Sequence, residues 1–349
     1  MLDNSLADEA ARQFQICNSC RYCEGYCDVF PQLFALPDMT AEQTVHLANL
    51  CHNCRGCYYA CQYSPPHEFA LNLPAMLAEV RQDAWERHAR PQALARVFHT
   101  HGVAVAGVLI AGFALLFWAM AALRPENGAG FYAYLGHNAM VAIFAPAFLL
   151  PSLAIALSLR SYWREIGGGR VGLADLRHMA GSVAKLRNLS GGAGQGCNFE
   201  QGERYSNARR HAHQATLWGF VMCFAATSVA TLMHYGLGWQ APYGLWTPPK
   251  LLGVPGGILL CLGTGALAWL KLRADPALGA ARVWGGEMAF VLLLFTVSAT
   301  GLALYAGTGT GAVSALLAIH LGAVLSFFVL MPYSKMVHGF YRVVALLKR

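Results

Sequence analysis

The chain has 349 residues, of which 56% are hydrophobic and only 12% are charged. A soluble globular domain usually has about twice that charged fraction, so the composition excludes an ordinary soluble protein. The formal net charge of +7 is explained by an uneven distribution of lysine and arginine among the loops, so we expect no nucleic-acid partner.

Two cysteine runs of identical spacing stand near the N-terminus. Cys17-x2-Cys20-x2-Cys23-x3-Cys27 is followed by Cys51-x2-Cys54-x2-Cys57-x3-Cys61, and the runs hold eight of the eleven cysteines. This is the bacterial ferredoxin pattern, in which three cysteines of a run hold one [4Fe–4S] cluster and the fourth ligates the other cluster. We therefore predict two clusters, the first held by Cys17, Cys20, Cys23 and Cys61 and the second by Cys51, Cys54, Cys57 and Cys27.

Two other uses of cysteine explain the pattern less well. Zinc sites usually show two CxxC pairs rather than a run of four cysteines with a three-residue final gap. A disulfide framework needs an oxidising compartment, whereas the topology predicted below places these cysteines in the reducing cytoplasm. Iron–sulfur clusters move single electrons, so this interpretation implies an electron donor and an electron acceptor.

Residues 1–98 are predicted to form the cytoplasmic domain that holds both clusters. Thr40-x-x-Gln43 is a capping box that should begin a helix over 41–50 and deliver Cys51. A second helix, over 73–90, is amphipathic, and we expect it to lie on the membrane or to receive a partner. The domain has few Val, Ile or Thr alternations, which favours a helical ferredoxin-like fold.

Six apolar stretches are long enough to cross a bilayer as helices, which takes about 20 residues each. They cover residues 101–123, 138–159, 213–236, 251–271, 287–306 and 313–334. The predicted fold is therefore all-α. A helical di-cluster ferredoxin-like domain over 1–98 is followed by a six-helix transmembrane bundle over 99–349, with a cytoplasmic loop over 160–212.

The basic residues predict the orientation of this bundle. Of the 25 lysines and arginines, 23 fall before the first span, in the 160–212 loop, after the fourth span or in the C-terminal tail. These segments share one side of a six-span protein, and the positive-inside rule assigns that side to the cytoplasm. We therefore predict a multi-pass protein of the bacterial inner membrane with both termini in the cytoplasm.

The 160–212 loop contains two distinctive segments. Residues 173–189 are predicted to form a basic amphipathic helix. The glycine-rich segment 191–197 lacks the lysine and the following helix of a phosphate-binding loop. It either lines a quinone or docking site beside the clusters or is an ordinary flexible loop.

Four histidines in or beside the spans form two pairs by depth. The third and sixth spans run in opposite directions, so His213 and His338 share the cytoplasmic face, while His234 and His320 share the outer face. His320 and His338 are five full helical turns apart, about 27 Å along the axis, and therefore point the same way. Neutral imidazole is the usual axial ligand of haem, and polar residues in spans are often functional. We predict that these pairs bind haem b, at one or two sites.

The competing interpretation is that a histidine at the end of a span lies among lipid headgroups and binds nothing. We apply it to the remaining histidines near the spans, although His99 or His101 is an alternative to His213. The histidines of the N-terminal domain show no metal-ligand spacing, and we expect them at its surface: His46, His52 and His67.

The stretch from His320 to His338 is similar to the haem-binding helix of respiratory nitrate reductase gamma subunits. That helix has a histidine, an apolar run, a Pro-aromatic-Ser/Thr-basic step and a second histidine. Here the step is Pro332-Tyr333-Ser334-Lys335. The resemblance covers one helix and implies that its two histidines bind haem.

A wider resemblance covers nearly the whole chain. Its segments are Cys-Arg-Tyr-Cys-Glu-Gly-Tyr-Cys at 20–27, Gly-Cys-Asn-Phe at 196–199, Leu-Gly-Trp-Gln-Ala-Pro-Tyr at 237–243 and Pro-Tyr-Ser-Lys-Met-Val-His-Gly at 332–339. They resemble the tricarballylate/citrate-utilisation protein B family (TcuB or CitB), whose members are membrane iron–sulfur proteins that reoxidise a flavoprotein. The resemblance implies a cytoplasmic FAD-dependent partner that dehydrogenates tricarballylate to cis-aconitate, and quinone as the electron acceptor.

The predicted function is that of an electron-transfer subunit, with electrons passing from the partner to the two clusters, to haem b and to quinone. No Rossmann glycine fingerprint follows a strand, so flavin and nicotinamide should bind to the partner, and no catalytic residue is assigned. Two alternatives remain. A related module belongs to a flavin- and haem-containing precorrin-3B ring-contraction enzyme of cobalamin synthesis, and a membrane iron–sulfur redox sensor would have clusters without haem or quinone reduction.

Overall fold

The computed structural model describes residues 2–35, 39–123, 130–191, 194–198, 204–239 and 241–348. These residues form helices and one isolated β-bridge, between Cys197 and Ser206. Two residues of the glycine-rich segment, Gly192 and Ala193, lie outside the described residues, as do Arg124 and Arg349 of the charge comparison.

The N-terminal domain contains five helices: α1 (Asn4–Cys20), α2 (Val29–Phe34), α3 (Ala41–Leu50), α4 (Gly56–Tyr59) and α5 (Leu73–His88). The predicted capping box is confirmed, because Thr40 Oγ1 accepts from the Gln43 amide and Gln43 Oε1 accepts from the Thr40 amide at 2.8 Å. Helix α3 then ends at Cys51, whose backbone is extended. The cap thus fixes where the second cysteine run begins.

Helix α5 lies in the interior of the molecule. Eleven of its 16 residues are buried, and it packs against α1 and α3 and against the first two membrane helices. The expectation that this segment lies on the membrane or awaits a partner is wrong. Its polar residues are satisfied inside the protein; Trp85 Nε1, for example, donates to Asn49 Oδ1 at 2.9 Å.

After the N-terminal domain, the described residues include six helices that are long and apolar enough to cross a membrane, so the prediction of six spans and an all-α fold is confirmed. They are α6 (Gln92–Leu123), α7 (His137–Glu165), α9 (Ala208–Leu237), α10 (Pro248–Arg273), α11 (Trp284–Ala306) and α12 (Val313–Leu330). Helix α8 (Leu173–Lys185) lies in the 160–212 loop, and α13 (Val337–Leu347) follows the last span. The first span begins at Gln92, before the predicted domain boundary at residue 98.

Close helix contacts in the bundle are made at glycines. A Cβ atom at Gly219 of α9 would lie 2.5 Å from the Leu260 amide nitrogen of α10. A Cβ atom at Gly322 of α12 would lie 2.7 Å from the Ala114 amide nitrogen of α6. Small residues of this kind let helix backbones approach closely within a membrane. The bundle therefore has an α9–α10 pair and an α6–α12 pair, with α11 packed against α6, α10 and α12.

The N-terminal domain and the bundle share one core. Helix α13 packs on α3, so the C-terminus and the N-terminal domain lie at the same end of the spans. Ion pairs reinforce this junction. Arg282, beside the start of α11, lies 2.8 Å from Glu86 of α5, and Arg87 lies 2.8 Å from Glu165 at the end of α7.

Candidate cofactor sites

The first cysteine site is a cavity of about 290 Å³ lined by Cys17, Cys20, Cys23 and Cys61. Helix α1 carries Cys17 and Cys20 and ends at Arg21, whose φ of 54° reverses the chain toward Cys23. Tyr22 stands at the rim with 67% of its surface exposed. This cavity therefore opens toward solvent.

The second cysteine site is a smaller cavity, of about 20 Å³, lined by Cys27, Cys51, Cys54 and Cys57. Left-handed backbone at Asn53 and Arg55, with φ of 52° and 67°, folds the chain tightly between the cysteines. Each of the two cavities thus receives three cysteines from one run and the fourth from the other run. Helices α2 and α3 lie between Cys27 and Cys51 in the sequence, and they bring both cysteines to the same cavity.

The donor sets are suited to iron–sulfur clusters. Within the described residues, no three His, Cys, Asp or Glu side chains converge tightly enough to hold a single metal ion. Burial, with neighbouring thiols adding to it, raises the pKa of Cys17 and Cys23 to about 12. Burial also raises the pKa of Cys54 to about 12. Such thiols ionise only when bound iron supplies the compensating positive charge. The four sulfurs at each cavity therefore fit a cluster that carries that charge.

The glycine-rich loop of the 160–212 connection packs against the second cavity. The Asn198 amide donates to the Cys54 carbonyl at 3.0 Å, and Cys197 is buried beside Cys54. From the preceding turn, Asn188 Nδ2 donates to Asp28 Oδ2 at 2.8 Å. The described part of the loop therefore lies beside the second cysteine site, and its lining of a quinone or docking site stays a prediction.

His213 and His338 lie together at the end of the bundle that carries the N-terminal domain. Their ring centroids are 5.9 Å apart, and the rings are inclined at 72°. His338 Nδ1 is hydrogen bonded to the Lys335 carbonyl, so Nε2 is the ring nitrogen that this bond leaves available for a ligand. His213 Nδ1 is buried and has no hydrogen-bond partner among the described residues. Two imidazoles with one ring nitrogen each available fit the axial positions of a haem.

This histidine pair adjoins the second cysteine cavity. His52, which lines that cavity, lies within electrostatic range of His213. Burial and then Arg342 hold the pKa of His52 well below 6.5, so its ring is neutral at physiological pH. The order along the molecule is therefore first cysteine cavity, second cysteine cavity, His52, and the pair of His213 and His338.

His234 and His320 lie against different neighbours. The His234 ring stacks on His137 of α7, with centroids 4.1 Å apart, and its Nδ1 is buried without a partner. His320 Nδ1 lies 3.1 Å from Thr300 Oγ1 of α11. Helix α9 packs chiefly on α10 rather than along α12, so its outer histidine is not directed at His320.

Two further histidines are satisfied inside the protein. His99 Nδ1 lies 3.1 Å from Glu86 Oε1 and 2.6 Å from Gln82 Nε2, so its hydrogen bonds join α6 to α5. His46 has only 3% of its surface exposed, and its Nε2 bonds the Ala345 carbonyl at 2.9 Å. The expectation that His46 is a surface group is wrong, because its environment is supplied by a helix at the other end of the chain.

Sequence reasoning also missed the arginines around the second cavity. Arg81 and Arg342 both donate to the Cys51 carbonyl, at 2.9 and 2.8 Å, and Arg209 donates to the Asn53 carbonyl at 2.6 Å. They come from α5, α13 and α9, so no local motif connects them. The sequence alone identifies them only as members of the excess of basic residues predicted on the cytoplasmic side.

The chain matches known proteins over almost its whole length. Residues 90–349 match the family Citrate utilization protein B, and residues 10–87 match the Citrate utilization protein B Fer4-like domain. It is 40% identical over 347 residues to a protein of Escherichia coli named Citrate utilization protein B, covering 97% of this chain and 91% of that protein. No solved structure matches it. A Fer4-like domain joined to six apolar helices fits an iron–sulfur electron-transfer role at a membrane.

Proposed function

Because the chain belongs to the citrate utilization protein B family, we propose that it carries electrons from a cytoplasmic FAD-dependent dehydrogenase to membrane quinone. Two [4Fe–4S] clusters and haem b supply the single-electron chemistry when they are bound. The partner, resembling tricarballylate dehydrogenase, oxidises the organic substrate. This chain holds and orders the redox groups between the partner and the bilayer.

The observation that carries the proposal is the continuity of the three sites. Each cavity offers four cysteines, and His52 of the second cavity lies within electrostatic range of His213, the partner of His338. Electron transfer needs redox groups that are close together, and the order of the three sites, from a solvent-facing cavity to the membrane helices, supports such a route.

The first cavity is the proposed entry point for electrons. It is the larger of the two and has the exposed Tyr22 at its rim, whereas the second is covered by the 160–212 loop and the arginines. In the proposed arrangement, Cys17, Cys20, Cys23 and Cys61 ligate the entry cluster. Cys27, Cys51, Cys54 and Cys57 ligate the inner cluster.

His213 and His338 are the proposed ligands of haem b. The Lys335 carbonyl holds Nδ1 of His338 and fixes the ring orientation, as outer hydrogen bonds commonly do for metal-ligating histidines. A second haem would use His234 and His320. It has less support, because those two rings lie against His137 and Thr300. We therefore place the first haem at the cytoplasmic pair and treat the outer pair as the ligands to test for a second.

The proposed location is the bacterial inner membrane, with both termini and residues 1–98 in the cytoplasm. The positive-inside rule supports this orientation, since 23 of 25 basic residues are in segments on that side. The packing of α13 on α3 also keeps the C-terminal tail beside the N-terminal domain. A cytoplasmic dehydrogenase can then reach the first cavity directly.

Cofactor analysis of the purified protein tests the proposal. We expect about eight cluster irons per chain with matching acid-labile sulfide, and a b-type band in the pyridine haemochrome spectrum. Absence of iron and sulfide would contradict the electron-transfer role. Clusters without haem and without quinone reduction would instead favour the redox sensor, and purification with cobalamin precursors bound would favour the ring-contraction module.

A further inference from the structure

Arg342 stands between the second cysteine cavity and the histidine pair. Its Nη2 donates to the Cys51 carbonyl at 2.8 Å. The side chain also lies within electrostatic range of His338. One guanidinium therefore contacts a proposed cluster ligand and lies near a proposed haem ligand.

Arg342 has no carboxylate partner. Within the described residues it forms no ion pair, and its Nε is shielded from solvent without a hydrogen-bond partner. An arginine side chain is not deprotonated in proteins, so Arg342 is charged at neutral pH. A buried charge without a counter-ion is costly, so this position requires negative charge from another source.

The two nearest arginines point to the same segment. Arg81 donates to the Ala48 and Cys51 carbonyls, and Arg209 donates to the Asn53 carbonyl. Arg81 is only 8% exposed. Three positive charges from three different helices thus converge on residues 48–53, which lead into the second cysteine site.

The surroundings of the first cavity are different. Its one lining arginine, Arg21, is exposed, donates to the Asn18 carbonyl at 3.3 Å and lies over the Phe34 ring. Solvent screens exposed charges far more strongly than buried ones. The first cavity therefore experiences much less positive potential than the second.

Among the described residues, an acidic side chain beside the second cavity is that of Asp28. Asp28, next to Cys27, accepts from Asn188 Nδ2 at 2.8 Å and lies 3.9 Å from the Arg187 guanidinium. Three arginines therefore outnumber this one carboxylate beside the second cavity.

We infer that Arg342, assisted by Arg81 and Arg209, is the counter-charge of the second cluster and makes that cluster the easier of the two to reduce. A cluster gains one negative charge on reduction, so nearby buried cations stabilise its reduced form, and net charge is one of the factors that set cluster potentials. Electrons then pass inward from the first cavity to the second along a favourable gradient. This inference rests on the proposed function and adds to it the relative reduction potentials of the two clusters.

The test is a redox titration of the purified protein, with the two clusters followed by electron paramagnetic resonance. The signal of the first cluster is identified by its change in Cys20→Ser. In the unsubstituted protein we expect the second cluster to have the higher potential. In Arg342→Gln its reduction should become at least tenfold less favourable, which is a fall of 59 mV for one electron. Arg342→Lys, which keeps the charge, should restore most of the difference.

Arg187→Gln is the matched control, because Arg187 is 63% exposed and lies beside the same cavity. Its second cluster should keep the original potential. The inference is overturned if both clusters are present and the Arg342→Gln potentials are unchanged. It is also overturned if the second cluster of the unsubstituted protein is the harder of the two to reduce. That measurement does not depend on whether a variant folds. Iron and sulfide contents below two clusters would contradict the proposed function itself.

Discussion

The rings of His213 and His338 lie 5.9 Å apart, although they belong to the third span and to the helix after the sixth. His52, which lines the second cysteine cavity, lies within electrostatic range of His213. This relationship joins the N-terminal domain to the membrane helices at one point. The following predictions test that junction and the packing that maintains it.

Replacing either His213 or His338 with Ala should remove the b-type haem band. Each ring supplies one axial nitrogen, so loss of either leaves the iron without one protein ligand. Optical spectra and the pyridine haemochrome assay measure the effect, while the cluster signals should remain. His211→Ala is the matched control, since this exposed residue lies on the same helix two positions earlier. A haem band that survives in both variants would show that the ligand assignment is wrong.

In the proposed assignment, the fourth cysteine of each run ligates the cluster held by the other run. This crossed assignment predicts which single cysteine substitutions perturb the same cluster signal. Cys27→Ser should perturb the same cluster signal as Cys54→Ser, because both residues line the second cavity. Cys61→Ser should perturb the same signal as Cys20→Ser. Electron paramagnetic resonance of the four variants measures the grouping. If Cys27 instead groups with Cys20, each run holds its own cluster and the crossed assignment fails.

Gly322→Ala should destabilise the bundle. The added Cβ would meet the Ala114 backbone at 2.7 Å, and backbone cannot yield without separating α12 from α6. Such overpacking typically costs about 1–3 kcal/mol, which a lowered unfolding midpoint in detergent would reveal. Gly112→Ala on α6 has open space around its Cβ and should not lower the midpoint. Equal midpoints for both variants would argue against this helix contact.

His46 should make the stability depend on pH. Burial lowers its pKa to about 4 in the folded state, from 6.5 when it is exposed. The unfolded chain therefore binds a proton first as the pH falls, so stability is fully present above pH 6.5 and is lost between pH 6.5 and 4. From pH 7.5 to 5.5 the expected loss is about 1 kcal/mol.

Thermal unfolding of His46→Gln over the same pH range measures that contribution. The variant should be less sensitive to pH than the unsubstituted protein by about that amount, whereas His211→Gln should retain the original dependence. An unchanged pH dependence in His46→Gln would show that the histidine is already accessible to solvent in the folded state.

The sequence was sufficient for features that depend on local spacing. Cysteine spacing predicts which thiols line each cavity, the capping box predicts the start of α3, and apolar length predicts six spans. These features follow from periodicity and hydrogen bonding within a few residues, or from a general requirement of the bilayer.

Features that depend on distant parts of the chain were not predictable in the same way. His46 is buried by Ala345, and Arg342 reaches Cys51, across nearly the full length of the sequence. His234 and His320 lie at a similar depth, but their contacts depend on which helices pack together. Glycines bring α9 against α10, and His234 of α9 stacks on His137 instead of facing His320. Depth can be read from hydropathy, whereas rotation about the helix axis depends on packing.

The most direct test of the central claim is quinone oxidation of the reduced protein in lipid nanodiscs, with clusters and haem followed together by their spectra. We predict that a water-soluble quinone analogue reoxidises the haem and both clusters, and that in His213→Ala the clusters stay reduced because the route to quinone is interrupted. Clusters that reoxidise equally fast in His213→Ala, with no haem present, would contradict the account.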